Sequence, residues 1–149
     1  MKVKKAKAKA RKGRRLRQVG ALPFRRDADG GLRFLLVTSR GTSRFVIPKG
    51  WQMKKLADAD AAAIEAKEEA GVLGRAARKP IGRYFYWKRL KKVFVPITVD
   101  VYPLEVEEEM PRWDEKHQRL RDWVTPEQAV ALVDEPELVH VLKTAQASL

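Results

Sequence analysis

Short apolar runs separated by turn residues fill the first third of the chain. Residues 18–24 (QVGALPF) and 32–39 (LRFLLVTS) each predict a strand, and the Asp-Gly-Gly turn at the end of 25–31 joins them into a hairpin. A further run, 45–48 (FVIP), predicts a short buried strand, which ends at a proline because proline cannot donate to a sheet ladder. Residues 49–58 carry no alternation and are predicted to form a loop.

The spacing of the apolar residues then changes from the alternation of a strand to the period of a helix, about 3.6 residues. Asp58 or Asp60 is the predicted N-cap of an alanine-rich helix that ends at Gly71. Four small side chains along it, Ala62, Ala63, Ala66 and Ala70, predict close approach of this helix to a sheet.

Extended patterns return in the second half of the chain. Residues 82–89, 93–106 and 119–125 predict strands, and 107–118 predict an acidic loop between the last two.

Two helices are predicted to close the chain. One begins at Pro126 with Thr125 as its N-cap and Glu127 in its first turn, and a last one begins at Pro136. Strands around one central helix, followed by terminal helices, predict an α+β fold: an α/β/α sandwich with a mixed central sheet.

Composition narrows the class of protein. A length of 149 residues suits one domain with its own core, and the absence of cysteine excludes disulfides and thiolate metal sites. No apolar run approaches the roughly 20 residues that span a bilayer. We therefore expect no membrane span and a cytoplasmic location.

The net charge of +13 is concentrated at the N-terminus. Residues 1–17 contain ten lysines and arginines and no acidic residue, so the remainder of the chain is only mildly basic. This pattern predicts a basic, disordered tail over 1–16 and one folded domain over 17–149. The tail could contact nucleic acid, polyphosphate or anionic lipid, serve as an organellar presequence, or act only as a solubilising segment.

Three glutamates in the central helix raise a question of chemistry. Glu65, Glu68 and Glu69 are spaced i, i+3 and i+4, which places them on one helical face where their charges repel. Carboxylates at this spacing can converge on a hard cation such as Mg²⁺, which prefers oxygen ligands and would relieve the repulsion. A solvated acidic surface is the other interpretation of the same pattern.

The surrounding sequence resembles the Nudix family. Pro-Lys-Gly at 48–50 followed by Glu-Ala-Lys-Glu-Glu-Ala-Gly-Val at 65–72 is similar to the Nudix box, with every spacing counted from Gly50 in register. Two positions depart from the family pattern: Leu56 stands where the family has a glutamate, and Ile64 where it has an arginine that orients the helix.

The resemblance implies a Nudix fold with the catalytic helix packed on the sheet, and an Mg²⁺-dependent pyrophosphohydrolase, with Mn²⁺ as a substitute. It implies Glu65, Glu68 and Glu69 as metal ligands and catalytic groups, with the Gly50 carbonyl as a further ligand. The general base varies within the family. Glu115 in the acidic loop is a candidate, and a solvated loop acid is the alternative interpretation.

The order of elements is also similar to that of the diphosphoinositol polyphosphate and diadenosine polyphosphate phosphohydrolases. A nucleoside diphosphate linked to another group, or a related phosphoanhydride, is therefore the implied substrate. A phosphate-rich substrate needs cations nearby. The candidates for binding it are Arg17, Arg40, Arg44 and Lys49, each of which could equally be a solvated surface cation.

A second basic group lies on the predicted hairpin at 82–106: Lys88, Arg89, Lys91 and Lys92. The aromatic residues beside it could stack on a base or could pack in the core; they are Tyr84, Tyr86 and Trp87.

Two alternative functions remain open. The chain could be a catalytically weak Nudix platform that binds nucleic acid through residues 1–17, an interpretation that Ile64 and the tail favour. It could also be an RNA 5′-pyrophosphohydrolase, in which the tail steers the enzyme to the 5′ end of an RNA.

Overall fold

The computed structural model describes residues 3–11 and 16–149. One eight-stranded sheet carries helices on both faces. The elements in chain order are α1 (Val3–Arg11), β1 (Leu16–Arg26), β2 (Leu32–Thr38), β3 (Phe45–Val46), β4 (Lys49–Trp51), α2 (Asp58–Glu65), which continues as a π-helical turn (Ala66–Ala70), β5 (Val72–Ala76), β6 (Gly82–Leu90), β7 (Val93–Glu109), β8 (Arg121–Val124), α3 (Pro126–Leu132) and α4 (Pro136–Ser148).

The long strand β7 organises the sheet. One edge of it pairs in parallel with β1, and the other edge pairs antiparallel first with β6 and then with β5. β1 in turn pairs antiparallel with β2 and with β4, and β2 pairs with β3 and β8. The sheet is therefore mixed, as the sequence predicted, and 18–39 does form an antiparallel hairpin.

Each sheet face has its own core. On one face α3 and α4 cover apolar side chains that include Phe34, Tyr84 and Val99. On the other face α2 packs against Val19, Leu35 and neighbouring side chains through its buried alanines. An alanine surface lets the helix axis approach the sheet closely, and this sets the depth at which the glutamates of α2 lie. The α+β sandwich is confirmed.

Three elements differ from the predicted strands and loops. Part of the predicted loop 49–58 is strand β4, residues 72–76 form strand β5, and β7 runs on to Glu109 into the predicted acidic loop. Each of these segments lacks a clear alternation of its own. They are extended because a neighbouring strand, β1 or β7, offers unpaired backbone groups.

One of the two predicted helix N-caps is confirmed and the other is wrong. Thr125 caps α3 through a capping box with Gln128. The N-cap of α2 is Ala57, with no side-chain hydrogen bond, so the prediction of Asp58 or Asp60 was wrong. Both aspartates lie in the first turn and are engaged elsewhere: Asp58 accepts from Gln52, and Asp60 pairs with Arg78.

The N-terminal segment also differs from the predicted disorder. Residues 3–11 form α1, whose Ala6 is buried against the larger core, while Lys4 and Lys5 are exposed. Alternating alanines and lysines have high helix propensity, which outweighs the charge repulsion once Ala6 has a surface to pack on. Residues 1–2 and 12–15 of the predicted tail lie outside the described residues, and the boundary of the domain stays a prediction.

No helix among the described residues is long and apolar enough to cross a membrane.

Candidate functional site

The glutamates lie where α2 changes its winding. From Ala66 to Ala70 the helix is a π-helical turn, and it ends at Gly71 in the left-handed conformation with φ 66°. The wider i→i+5 turn aligns residues four apart more closely than residues three apart. Glu65 and Glu69 are therefore directed together at strand β4. Glu68 is rotated toward the loop after β7, where it lines a cavity with Ile64 and Trp113.

Glu69 is buried and held by three groups. Its carboxylate accepts from the backbone N–H of Lys49 at 3.3 and 3.4 Å, and it pairs with the Arg119 guanidinium at 3.4 Å. Its own backbone carbonyl accepts from the indole N–H of Trp113 at 3.1 Å. Burial raises the pKa of Glu69, and the charges of Arg119 and Lys49 act against that rise. A buried carboxylate held this way is oriented before any ligand arrives.

Glu65 packs over the backbone of Gly50. A Cβ atom at position 50 would overlap the Glu65 carboxylate, so a larger residue there would displace this side chain from its position. Burial, followed by the charges of Glu69, Glu68 and Glu115, raises the pKa of Glu65 to about 7. Close packing on a glycine therefore holds Glu65, and the acidic surroundings make it a group that binds a proton or a cation readily.

Arg119 links the helix to the loop that follows β7, and its side chain is only 10% exposed. Its Nε donates to Glu115 at 2.9 Å, one Nη donates to the Thr38 carbonyl at 2.9 Å, and the other reaches Glu69. Arg119 therefore supplies a positive charge beside the carboxylates. Position 64 of the helix, where the Nudix box has an arginine, is isoleucine and supplies none. The bond to Arg119 brings Glu115, a weak candidate for the general base, into the site.

The same loop fixes the end of the helix. Arg121 donates to the carbonyls of Ala70 and Gly71 at 3.0 and 3.1 Å, and its guanidinium stacks on the Trp113 ring at 4.0 Å. The backbone N–H of Glu115 donates to the Glu68 carbonyl at 3.2 Å. These bonds satisfy carbonyls that a helix end leaves without partners.

A cationic cleft opens beside Glu69 on the opposite face of the sheet from α2. The Lys49 ammonium lies 5.0 Å from the centre of the Tyr86 ring, whose hydroxyl donates to Gln18 at 2.7 Å. Burial lowers the pKa of Lys49 to about 8, although the charges of Glu69 and Glu135 oppose that change. Burial also lowers the pKa of Lys88, and the positive charges of Arg40 and Arg119 contribute. Cations crowded in this way favour an anionic ligand.

The predicted phosphate-binding residues separate into two groups. Lys49 lies in the cleft, and Arg40 borders it, with Nε 3.8 Å from Glu115 and Nη1 donating to Gln118 at 3.1 Å. Arg44 lies at its far side, paired with Asp134 and Glu135 at 3.4 and 3.3 Å. Arg17 lies on the face that carries α2, where it pairs with Asp100, so the structure does not bring it to the glutamates.

These residues fit a divalent cation that takes only some of its ligands from the protein. No group of three His, Cys, Asp or Glu side chains within 3–11 and 16–149 is placed to hold a metal by itself. Mg²⁺ is commonly bound by one or two carboxylates, with substrate phosphates and waters completing its shell. Glu65, which is half-buried, and Glu69, which is buried, are both directed at β4 and raised in pKa, and they are a donor set of that kind.

Sequence reasoning missed several residues of the site. Trp113 and Arg119 come from the loop after β7, whose sequence shows no periodicity, and Arg121 begins β8. Lys88 is one of four hairpin cations with nothing to single it out. Strand alternation could have found Lys88, because it shares the face of β6 with the buried Tyr84 and the half-buried Tyr86. No signal in one sequence could have paired Arg119 with Glu69, fifty residues earlier.

Comparisons with known proteins show the family and the fold. The NUDIX domain family matches residues 14–144 of the chain. Nudix hydrolase 16, mitochondrial, of Arabidopsis thaliana is 34% identical over 136 residues, which cover 83% of this chain and 75% of that protein. Nudix hydrolase 18, mitochondrial, of the same plant is 32% identical over 125 residues, covering 79% and 68%. Among solved structures, a C. elegans Ap4A hydrolase binary complex superposes with a TM-score of 0.66 at 20% identity, covering 89% of this chain and 96% of that one.

Proposed function

This chain belongs to the NUDIX family and is a Nudix pyrophosphohydrolase, and from that premise we propose that it cleaves, with Mg²⁺, a phosphoanhydride bond in a nucleoside-diphosphate-X type of substrate. A diadenosine polyphosphate or a diphosphoinositol polyphosphate is the substrate class in view. The observation that carries the proposal is that Glu65 and Glu69 are directed from the helix at β4, with the cations Lys49, Lys88 and Arg119 close to Glu69.

Glu65 and Glu69 would hold the metal, with the Gly50 carbonyl as the further ligand that the family resemblance implies. A bound Mg²⁺ or Mn²⁺ supplies charge neutralisation of the diphosphate and lowers the pKa of a bound water. Gly50 gives Glu65 room to reach this position, and the Lys49 N–H and Arg119 hold the carboxylate of Glu69 in a fixed orientation.

The cations of the cleft would bind the outer phosphates. Lys49 is buried beside Tyr86, and its lowered pKa means that it gains more than an exposed lysine from an added negative charge. Lys88 and Arg40 extend the positive surface away from Glu69. Several cations close together suit a chain of phosphates better than a single one does.

Glu115 is the candidate general base on the loop side, and Glu68 is the candidate on the helix. Glu115 accepts from the Nε of Arg119 at 2.9 Å and lies 3.8 Å from the Nε of Arg40. Glu68 has its backbone carbonyl bonded to Glu115 and its side chain at the cavity beside Ile64. Comparing Glu115→Gln with Glu68→Gln identifies the base: the variant that loses the acid limb of the rate profile, where the rate rises as the base loses its proton, with metal affinity retained, held that role.

A phosphate-release panel tests the substrate class. It compares diadenosine polyphosphates, diphosphoinositol phosphates, ADP-ribose, nucleoside triphosphates and 5′-triphosphate RNA, each with Mg²⁺, with Mn²⁺ and with chelator. The proposal expects metal-dependent turnover that is highest on one of the first two classes. Turnover confined to ADP-ribose or to nucleoside triphosphates would refute the substrate class while leaving the family chemistry in place.

A second candidate function is nucleic-acid binding by the basic tail, either on a catalytically weak platform or as an RNA 5′-pyrophosphohydrolase. It is favoured by the exposed Lys4 and Lys5 of α1 and by the isoleucine at position 64. Reversing both charges with Lys4→Glu and Lys5→Glu should weaken RNA binding and its salt dependence if the tail binds RNA. An RNA 5′-pyrophosphohydrolase would also lose turnover on triphosphate RNA alone. The cytoplasmic location stays a prediction.

A further inference from the structure

The hairpin of β6 and β7 exposes an aromatic surface that the catalytic site does not use. Seven large hydrophobic side chains are exposed in the described part of the chain, and four of them lie on this hairpin: Phe85 (44% exposed), Trp87 (59%), Val93 (38%) and Phe94 (61%). Burying aromatic side chains is favourable in water, so a cluster left exposed in a stable fold marks a surface that is covered at some other time.

The strand register places three of these side chains on one flat face. Phe85 and Trp87 are alternate residues of β6, so both point to the same side, and their rings meet edge to face at 6.2 Å. Trp87 is opposite Pro96 on β7, and Arg89 is opposite Phe94. We define the aromatic face as Phe85, Trp87, Phe94 and Pro96.

This face is separate from the cleft. Tyr84, Tyr86 and Lys88 are the other alternate residues of β6 and point to the opposite side, toward α4 and the cationic cleft. The aromatic face instead continues the surface on which α2 lies, because Tyr102 packs beneath α2 on the same alternate set of β7 as Phe94. The helix covers only the far part of the strand and leaves the hairpin part bare.

Most of the charges around the aromatic face are positive; the acids beside it are Asp100 and Glu137, whose carboxylate accepts from the backbone N–H of Phe85 at 2.9 Å. Residues 82–97 contain five lysines and arginines and no acidic residue. Arg89 and Arg83 share the face with the rings, and Lys91 and Lys92 occupy the turn. Asp100, an acid on the same face, is already paired with Arg17 and Arg83.

We propose that the aromatic face binds single-stranded nucleic acid, with bases stacked on Phe85, Trp87 and Phe94 and the backbone phosphates along Arg89, Lys91 and Lys92. Single strands are bound by exposed rings that offer a stacking surface to any base, interleaved with cations that follow the phosphates. A flat two-stranded face presents rings in a row, as strand-based single-strand binders do.

The two other occupants of such a surface are less suited to this geometry. A second copy of the chain would bring the same basic cluster, Arg89, Lys91 and Lys92, to both sides of a symmetric interface, and two like-charged surfaces repel each other. An anionic bilayer would be bound by apolar side chains that project from the hairpin turn and insert between the lipids, whereas these rings lie side by side across two strands.

The test measures binding of fluorescein-labelled single-stranded RNA and DNA 12-mers to the full chain by anisotropy, over a range of salt. Trp87→Ala combined with Phe94→Ala should weaken binding about fivefold or more for each ring. Trp87→Phe, which keeps a ring, should bind nearly as the unaltered protein does. Lys91→Ala with Lys92→Ala should lower the slope of log affinity against log salt by about 0.7 per lysine.

Matched controls separate this surface from the tail and from the hydrolase site. Leu132→Ala removes an exposed apolar side chain on α3 and should leave binding unchanged. The double aromatic variant should keep metal-dependent hydrolysis of small substrates, which also shows that it is folded. Equal binding by the unaltered chain and the double aromatic variant would overturn the proposal, because the tail would then be the binding element.

Three further results would also overturn it. The first is failure of the unaltered chain to bind single strands. The second is binding of anionic phosphatidylserine vesicles in place of oligonucleotides. The third is a concentration-dependent dimer, seen by sedimentation, that the double aromatic variant abolishes.

Discussion

At the scale of single residues, the site depends on how three carboxylates share one positive charge. Glu69 accepts from the Lys49 N–H and pairs with Arg119, which also binds Glu115. Glu65 lies over Gly50 with a pKa of about 7. Arg119 thus brings a cation to the helix from outside the box, and we expect it to act as a positioning residue.

Arg119→Met tests that role. The variant removes the guanidinium that orients the Glu69 carboxylate, which should raise the pKa of Glu69 and, because the carboxylate is no longer held in place, weaken Mg²⁺ binding at pH 7 by tenfold or more. Losing one partner of a buried ion pair should also cost about 3 kcal/mol of unfolding free energy. Calorimetric titration with Mg²⁺ and denaturant melts measure the two effects separately.

Two comparison variants complete that experiment. Arg119→Lys keeps the charge and should restore part of the metal affinity. Arg75→Met removes an exposed arginine that pairs with Glu105 and Glu107 at 3.8 and 3.9 Å, and should leave both quantities unchanged. Unaltered Mg²⁺ affinity in Arg119→Met would show that this arginine only packs.

At the scale of elements, the sequence predicted the catalytic helix well and its surroundings poorly. Its alanine face and Gly71 stop are local signals, and both are found in the structure. The π-helical turn that separates Glu68 from Glu65 and Glu69 has no such signal. Neither has β4, which is extended because it pairs with β1. Three glutamates on one face were predicted for an ideal α-helix, and the wider turn brings two of them together.

The site loop shows the same limit. Trp113, Glu115, Arg119 and Arg121 were read as an acidic loop and the start of a strand, since nothing in 107–121 is periodic. Their positions are set by bonds to Glu69, Ala70 and Gly71 at the end of the helix. Such contacts join parts of the chain some fifty residues apart, which local pattern cannot reveal.

Gly71→Ala tests the joint between helix and loop. An added Cβ would lie 2.6 Å from the Trp113 ring and 2.7 Å from the Arg121 guanidinium, on a backbone with φ 66°. We expect reduced hydrolysis together with a loss of about 2 kcal/mol or more of unfolding free energy, of which the conformation alone accounts for about 1–2 kcal/mol.

Gly41→Ala is the matched control, because Gly41 has φ +84° and open space around its Cα. It should show the conformational cost and full hydrolysis. Equal loss of activity in both variants would show that contact with Trp113 and Arg121 does not matter to the site.

At the scale of the whole molecule, one rigid sheet separates two cationic surfaces. One face holds the cleft of Lys49 and Lys88 beside the glutamates, and the hairpin turns its aromatic face to the other side. The acidic site inside a basic protein also gives the fold a pH dependence of its own.

Stability of the metal-free protein should fall as the pH rises from about 4.5 to about 7. The pKa of Glu65 is about 7 in the fold and 4.5 in the unfolded chain, so the folded state holds the extra proton in this interval. Deprotonation of Glu65 then favours unfolding, and added Mg²⁺ should offset the loss. Thermal melts with chelator across this range measure the effect, and Glu65→Gln should flatten it. A Glu65→Gln curve with the original slope would contradict the assignment to this residue.

The most direct measurement compares Glu69→Gln with Glu108→Gln in metal-dependent hydrolysis of the best substrate from the panel. Glu108 is an exposed acid near the end of β7 and serves as the control. Glu69→Gln should lower kcat by orders of magnitude and weaken Mg²⁺ binding in a protein that remains folded, and Glu108→Gln should behave as the unaltered enzyme. Full metal-dependent turnover in Glu69→Gln would contradict the assignment of Glu69 to the metal site.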